Sequence, residues 1–190
     1  MLIKHLLDNF GFSIAFTNTP TICLKSFPKL FKNRVIECFI QEWQCSLESS
    51  SSLSELRYFK PYFEYEQYLD ILPPNLRFFL SRMRLSAHSL RIQTGRYTQN
   101  AIPRNERFCM CCTSHDIEDV YHFICICKAF EKIRKQYITE YYYKKPSVFK
   151  FNALMSTNNE ALLINLAKYI KTALEARQLF LSVHNHTQQS

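Results

Sequence analysis

Glycine is nearly absent from this chain. Gly11 and Gly95 are the two glycines among its 190 residues. Tight hairpin turns and the loops that cradle phosphate groups both depend on glycine. The sequence therefore argues against a β-sandwich with many turns and against a glycine-rich nucleotide-binding loop.

Long apolar runs are also lacking. No stretch of about 18 uncharged apolar residues occurs, and Lys4, His5, Asp8 and Asn9 interrupt the apolar start of the chain. We therefore expect neither a membrane span nor a secretory signal. The expected location is intracellular, in the nucleus or the cytoplasm, where disulfide bonds are disfavoured.

The sequence is nevertheless apolar enough for a buried core, since 47% of its residues are hydrophobic. Apolar residues recur mostly at helical spacing, and one such face is formed by Leu76, Phe79, Leu80, Met83 and Ala87. We predict a mainly α fold, a helical domain with a small embedded zinc-knuckle (CCHC) turn and at most a short β element. The stretch SLRIQTGRY at residues 89–97 is expected to form a short strand or a turn.

Interruptions of the helical pattern predict how the chain is organised. The pair Pro73-Pro74 ends one pattern, and Thr157 followed by Glu160 fits a capping box at the start of a long helix. We predict five segments, which are an N-terminal extension (1–33), a helical segment (34–74), an arginine-rich helix with a zinc knuckle and a basic helix (75–150), a C-terminal helix (151–183) and a flexible tail (184–190).

Positive charge is concentrated in the middle of the chain. The formal net charge is +8, from 24 basic and 16 acidic residues. Residues 77–150 hold 14 of the basic and 6 of the acidic residues, so the rest of the chain is neutral overall. Such a local excess is typical of a surface that faces phosphate groups, although basic residues also solvate ordinary helix faces.

Five of the eight cysteines lie between residues 104 and 130, together with two of the six histidines. Cys109 and Cys112 have the C-x2-C spacing of a zinc knuckle, and His122 and Cys127 follow as H-x4-C. Zinc is held tetrahedrally by four such ligands, and a site closed by four protein atoms is structural. We therefore predict a structural Zn²⁺; without a metal, the same residues would be buried free thiols and a surface histidine.

The fourth ligand stays open on spacing alone. Residues five apart on a regular helix lie about 140° from each other around its axis, so His122 and Cys127 cannot face one ion from such a helix. Either the backbone bends between them, or Cys125 is the fourth ligand. Cys111 is a further spare thiol beside Cys112.

Three stretches of the sequence occur in the order found in a known family. They are MRLSAHSLRIQTGRY, RNERFCMCC and IEDVYHFICICKAF. Together they resemble the carboxy-terminal zinc-knuckle region of LINE-type (non-LTR) retrotransposon reverse transcriptases, most clearly from Arg82 to Tyr137. Departures from the family pattern are Gln93 and Val120, which stand where acidic residues are common, and Cys111, which crowds the first knuckle.

The resemblance implies the ligand set Cys109, Cys112, His122 and Cys127. It also implies nucleic acid as a partner, either the RNA of an element or its target DNA, and a reverse transcriptase domain or another protein as a second partner. The polymerase signature Tyr-x-Asp-Asp of this family is missing, and no two aspartates are adjacent to hold a pair of magnesium ions. We therefore expect no catalytic site in this chain.

Arginine dominates the segment before the knuckle. Seven arginines and no lysine lie between residues 77 and 107, and the guanidinium group suits phosphate contacts and stacking on bases. We expect two or three of the seven to be structural. The predicted nucleic-acid-binding residues are Arg77, Arg84, His88, Arg91, Arg96, Arg104, Arg107, Lys128, Lys132, Arg134 and Lys135.

Three functions compete at this point. The chain could be a nucleic-acid-binding zinc module with weak sequence specificity, a zinc-stabilised helical module that binds another protein, or an inactive remnant of a retroelement. Aromatic residues such as Trp43 and the run Tyr141-Tyr142-Tyr143 would favour a protein partner if they are exposed. Salt-dependent binding to nucleic acid would favour the first function.

Overall fold

The computed structural model describes residues 2–13, 25–51, 53 and 55–187. Within these ranges the chain is mainly α-helical and forms no β-strand, which confirms the predicted fold class. The β element described there is an isolated antiparallel bridge between Phe108 and Ile117. No helix in this part of the chain combines the length and the hydropathy needed to cross a membrane.

The chain divides into two units, residues 1–51 and 52–190. The first unit contains α1 (Leu2–Asn9) and α2 (Phe27–Ser49). A proline stands in the first turn of α2, where its missing N–H has no helical partner to lose. The helix ends at Ser49, the first of four consecutive serines at residues 49–52.

Aromatic rings hold the first unit together. The rings of Phe10 and Phe12 lie against those of Phe27 and Phe31, with centroids 5.4–6.0 Å apart. The expected boundary between residues 33 and 34 falls inside α2, because the helix begins at Phe27, one residue before Pro28, rather than at the first apolar repeat. Residues 14–24 of the expected extension lie outside the described residues.

The second unit contains the helices that surround the cysteine cluster. They are α3 (Leu56–Phe59), α4 (Tyr68–Ile71), α5 (Pro74–Arg84), α6 (Arg91–Thr94), α7 (Glu131–Tyr137), α8 (Glu140–Tyr143), α9 (Val148–Met155) and α10 (Glu160–Thr187). Tighter 3₁₀ turns occupy Arg104–Glu106 and Lys128–Phe130, and a wider π-helical turn occupies His122–Ile126.

The core of the second unit forms where α10 packs against α4, α5 and α7. Leu80 and Met83 of α5 and Leu166 and Ile170 of α10 are at most 1% exposed. Each such side chain contributes about 1.5–3 kcal/mol when it is fully removed from water. Leu80 and Met83 belong to the apolar face that the sequence predicts, so helical periodicity locates the α5 side of this core.

The C-terminal region contains two helices where one was predicted. α9 ends at Met155, and α10 begins at Glu160 after a short break. The cap of α10 is Asn159, whose Oδ1 accepts the N–H of Leu162 at 3.0 Å, and not Thr157 as the capping-box pattern predicted. The helix continues to residue 187, beyond the expected start of the tail, and residues 188–190 lie outside the described part of the chain.

The stretch at residues 89–97 forms a helical turn, α6, and not a strand. Leu90 has an extended backbone and precedes the turn. The N–H of Ile92 donates to the carbonyl of Glu118 at 3.1 Å. This bond ties the turn to the cysteine-containing segment, so the arginine-rich region and the cysteine cluster are one structure.

Candidate metal centre

A short antiparallel pairing closes the segment that carries the cysteines, residues 107–127, which we call the metal loop. The N–H of Cys109 donates to the carbonyl of Asp116, and the N–H of Glu118 donates to the carbonyl of Arg107, both at 2.8 Å. His115 lies in the turn between the two arms with a φ of 56°, in the left-handed region. The pairing fixes Cys109 at the base of the turn and leaves Cys112 near its tip.

A π-helical turn solves the geometric problem of His122 and Cys127. The N–H of Cys127 donates to the carbonyl of His122 at 2.7 Å, which is the i to i+5 bond of a π-helix. This wider turn places residue i+5 over residue i, and Cys127 then leaves the helix with a φ of −50° and a ψ of 120°. The backbone therefore bends between His122 and Cys127, which is the first of the two alternatives that the ligand spacing left open.

The four predicted ligands converge on one point. Their sulfur and nitrogen atoms all lie within 4.8 Å of one another. Cys109 Sγ lies 3.8 Å from Cys127 Sγ, and Cys112 Sγ lies 3.4 Å from His122 Nε2. A tetrahedral zinc ion with Zn–S of about 2.3 Å and Zn–N of about 2.05 Å separates its ligand atoms by about 3.8 Å and about 3.6 Å. The cluster is therefore compatible with a metal site of tetrahedral size.

The two spare thiols lie outside this group of four. Cys125 is 3% exposed and packs in the core, where burial raises its pKa to about 12, so it is a neutral thiol. Cys111 lies within 4.8 Å of Cys109 and Glu118 in a second, overlapping group. Both carboxylate oxygens of Glu118 already accept hydrogen bonds from Arg177. Geometry thus favours Cys127 as the fourth ligand.

Electrostatics make the cluster attractive to a cation. Hydrogen bonds from Cys111 and then Cys127 lower the pKa of Cys109, and the same bonds raise the pKa of both donor thiols. Burial alone would lower the pKa of His122. The hydrogen bond and negative charge of Cys109 outweigh the effect of burial and raise that pKa. A bound cation would take the place of these shared protons and permit further thiolates to form.

Acidic residues lie close to His122 on the side away from the cluster. Its Nε2 faces Cys112, while its Nδ1 lies 3.6 Å from Oδ2 of Asp116. Asp119 accepts the N–H of His122 at 2.7 Å through Oδ1 and so caps the π-helical turn. Carboxylates beside the second ring nitrogen are common behind metal-binding histidines, because they fix the ring and its tautomer.

A buried ion pair joins the metal loop to α10, and the sequence did not reveal it. Arg177 Nε donates to Oε1 of Glu118 at 2.6 Å, and its Nη2 donates to Oε2 at 2.8 Å. The side chains are 8% and 1% exposed. Oε2 also accepts the N–H of Arg91 at 2.7 Å. A signal was present, because Arg177 is seven residues after the buried Ile170, and a charge on an apolar helix face predicts a buried partner.

Side chains from two helices satisfy the carbonyls that the π-helical turn leaves free. Arg134 of α7 donates from Nε to the carbonyl of Ile124 and from Nη2 to that of Cys127, both at 2.7 Å. Tyr169 of α10 donates its hydroxyl to the carbonyl of Phe123 at 2.6 Å. These bonds are buried, so they stabilise the turn strongly against unwinding.

Several predicted nucleic-acid-binding residues are turned inward. Arg84, His88, Arg107 and Arg134 are 3–8% exposed. Arg84 donates to Glu66 and to the carbonyl of Met155. Burial first, and then the charges of Arg177 and Arg82, lower the pKa of His88 to about 4. These four side chains are therefore not available to a phosphate group, and His88 is neutral at pH 7.

The other predicted residues divide by exposure. Arg77 is half-buried and donates from Nε and Nη2 to the carbonyl of Leu72 at 3.2 and 3.0 Å. Backbone carbonyls also fix Arg107, one of the four buried residues named above, which donates to those of Ile102 and Ile92 at 2.8 Å. The remaining residues, which are exposed or half-buried and which we call the basic surface, are Arg91, Arg96, Arg104, Lys128, Lys132 and Lys135.

A half-buried carboxyl beside the metal loop, that of Glu55, gives a test of pH dependence. Burial and the neighbouring Asp119 raise the pKa of Glu55 from 4.5 to about 7, against the opposing charge of Arg104. The folded chain therefore binds a proton that the unfolded chain has released, so this contribution to stability is complete below pH 4.5 and is lost as pH rises through about 7.

We expect Glu55→Gln to remove this loss. The variant and the original chain should have similar free energies of unfolding at pH 5, and the variant should be more stable by about 1–2 kcal/mol at pH 8. Urea unfolding of both metal-loaded proteins from pH 5 to 8 measures the difference between their free energies of unfolding. The pH dependence of metal binding is common to both proteins and cancels in this difference. A difference that does not change with pH would show that Glu55 is ionised throughout.

Comparisons with known proteins give no further assignment. No family model, no curated protein and no solved structure matches the chain. The functional conclusion therefore rests on the residues and their geometry.

Proposed function

We propose that this chain is a nucleic-acid-binding module whose metal loop is held by a structural Zn²⁺. The observation that carries the proposal is the closed group of three cysteine sulfurs and one histidine nitrogen at tetrahedral separations. Three thiolates and one imidazole form a ligand set that suits zinc rather than magnesium or calcium, which prefer oxygen. Four protein ligands leave no position for a reacting water, so the proposed ion has no catalytic role.

The charge around the metal loop supports nucleic acid as the ligand. Lys128 directly follows the ligand Cys127, Lys132 lies one turn further on, and both are exposed. Arg104 is exposed five residues before Cys109. The ion would thus fix the backbone on both sides of the loop and with it the positions of these cations. Cations held in this way attract phosphates without reading the base sequence.

We further propose a relationship to the carboxy-terminal region of LINE-type reverse transcriptases. It rests on the order of the arginine-rich stretch, the two ligand pairs and the following basic helix. In that setting the module would hold RNA or target DNA for a polymerase domain carried elsewhere. The missing polymerase signature agrees with a binding role for this chain.

Salt-dependent binding tests the proposed function. The zinc-loaded chain should bind labelled RNA and DNA with an affinity that falls steeply with salt. The double substitution Lys128→Ala/Lys132→Ala should weaken binding and lower the slope of log K against log salt by about 0.7–0.9 for each lost phosphate contact. Fluorescence anisotropy over a series of salt concentrations measures both quantities.

The exposed Lys168 of α10 provides a control matched to each single substitution, Lys128→Ala or Lys132→Ala, because Lys168→Ala also removes one positive charge but lies outside the basic surface. It should leave the slope unchanged. Zinc-loaded protein with no affinity for any nucleic acid would overturn the proposal and leave the metal centre standing.

A protein-binding module is the second candidate, and one observation favours it. Leu179 and Val183 of α10 lie four residues apart, and so on one helix face, and are 69% and 62% exposed. Exposed apolar side chains on one face are typical of a contact with another helix. This second function would be favoured by a protein partner that binds the original chain but not the Leu179→Ser variant, when neither of the two binds nucleic acid.

A further inference from the structure

Two exposed aromatic rings lie among three lysines at the junction of α8 and α9. Tyr141 is 55% exposed and Phe149 is 77% exposed. Lys144, Lys145 and Lys150 lie between or beside them in the chain. We call these five residues the stacking surface. They do not belong to the predicted binding residues, and no metal ligand is among them.

We propose that the stacking surface binds unpaired bases, so that the nucleic acid recognised by this chain is a single strand. The inference rests on the proposed function and adds the class of its ligand. Aromatic rings bind bases by stacking on their faces, and lysines hold the adjoining phosphates. In a duplex those faces are covered by neighbouring base pairs, so this surface selects unpaired strands.

The charge of the stacking surface is complementary to a phosphate backbone. Residues 141–150 contain the three lysines and no acidic residue. The nearest carboxylate along the chain, Glu140, is paired with Lys144 at 3.0 Å. Lys150 Nζ lies 4.4 Å from the centre of the Tyr141 ring and donates to the carbonyl of Lys145 at 3.0 Å. Cation and ring are thus already held together.

The stacking surface is fixed to the metal loop and is not a loose loop tip. α9 is capped by Ser147, whose hydroxyl accepts the N–H of Lys150 at 3.3 Å. Phe151 is 5% exposed and packs edge-on against Tyr121, with ring centres 5.5 Å apart. Tyr121 directly precedes the ligand His122. Burial of Phe151 leaves Phe149, two residues earlier on the helix, facing solvent.

The stacking surface follows the last residues of the basic surface directly along the chain. Lys135 is paired with Glu131 at 2.6 Å. α8 begins at Glu140, three residues after α7 ends at Tyr137, so Tyr141 follows Lys135 by six residues in the chain. A strand could therefore lie along the lysines of α7 and place its bases on Tyr141 and Phe149.

The test compares single strands with duplexes of the same sequence, using zinc-loaded full-length protein. We expect tighter binding to labelled single strands, and Phe149→Ala should weaken it about 5- to 100-fold. Tyr62→Ala is the matched control, because Tyr62 is 67% exposed on a different segment, and it should leave the affinity unchanged. Zinc content is measured in each variant to confirm that the metal loop is intact.

A second variant reports stacking directly. Phe149→Trp should retain the affinity, and its fluorescence should be quenched by the oligonucleotide beyond any change shown by Trp43 in the original chain. Salt-dependent binding that is equal for duplex and single strand, or is unchanged in Phe149→Ala, overturns this inference and leaves the proposed function in place. Absence of all nucleic-acid binding overturns both, and binding to anionic vesicles in that case would reassign the surface to membranes.

Discussion

Cys127→Ala is expected to abolish stoichiometric metal binding, whereas Cys125→Ala is expected to leave one metal ion per chain. Both residues are buried cysteines of the same short segment, two positions apart. Only Cys127 has its sulfur in the group of four ligand atoms. The pair of variants thus separates loss of a ligand from loss of a buried thiol.

The expected effect of Cys127→Ala is large. A structural zinc ion contributes on the order of 10 kcal/mol to folding, which matches the whole stability of a typical domain. The metal loop of the Cys127→Ala chain should therefore lose its fixed structure, and the unfolding midpoint of the second unit should fall or its transition disappear. Cys125→Ala should cost only about 1–2 kcal/mol of packing.

Metal content by native mass spectrometry and amide hydrogen exchange across residues 107–127 measure both effects. Cys112→Ala and His122→Ala should behave like Cys127→Ala, and Cys111→Ala should behave like Cys125→Ala. One metal ion retained by Cys127→Ala and lost from Cys125→Ala would assign the fourth ligand to Cys125 instead.

Arg177→Ala is expected to destabilise the chain by about 3–5 kcal/mol, because it leaves the buried carboxylate of Glu118 without its partner. That carboxylate is 1% exposed and accepts two hydrogen bonds from Arg177. Burial alone would lower the pKa of Arg177. The hydrogen bond and charge of Glu118 outweigh the effect of burial and raise that pKa, so Arg177 keeps its positive charge. Urea unfolding of the metal-loaded protein measures the loss.

A double-mutant cycle separates the pair from the size of the side chain. Arg177→Met with Glu118→Gln should recover much of the stability lost by Arg177→Met alone, since no unpaired buried charge remains. Lys135→Ala breaks the exposed pair with Glu131 and should cost far less stability than Arg177→Ala, because solvent screens that pair. Equal costs for Arg177→Ala and Lys135→Ala would contradict the buried-pair interpretation.

Helical periodicity and ligand spacing predicted much of this molecule. The stripe at Leu76, Leu80 and Met83 lies in the core, because a 3.6-residue period needs only local sequence to place side chains on one face. The cysteines and the histidine converge because their chemistry and spacing admit few other arrangements. The mainly α class and the candidate ligands Cys109, Cys112 and His122 follow from these two patterns. Spacing left Cys125 and Cys127 open as the fourth ligand, and Cys127 was implied by the family resemblance.

The remaining features depend on contacts that are distant in sequence. The π-helical turn carries no local signal, since its free carbonyls are satisfied by Arg134 and by Tyr169, which lies 46 residues beyond Phe123. The partner of Glu118 is 59 residues away. Composition likewise cannot separate an arginine that faces solvent from Arg84, whose guanidinium is fixed by Glu66 and a backbone carbonyl.

Donors that hold the metal loop come from outside it, and this limits how the centre can be inherited or engineered. Arg134, Tyr169 and Arg177 all follow the last candidate ligand, Cys127. A synthetic peptide or a graft that copies only the four ligands would omit all three. The transferable unit is the loop together with α7 and α10, so a gene rearrangement that separates them would leave the cysteine motif readable but without its scaffold.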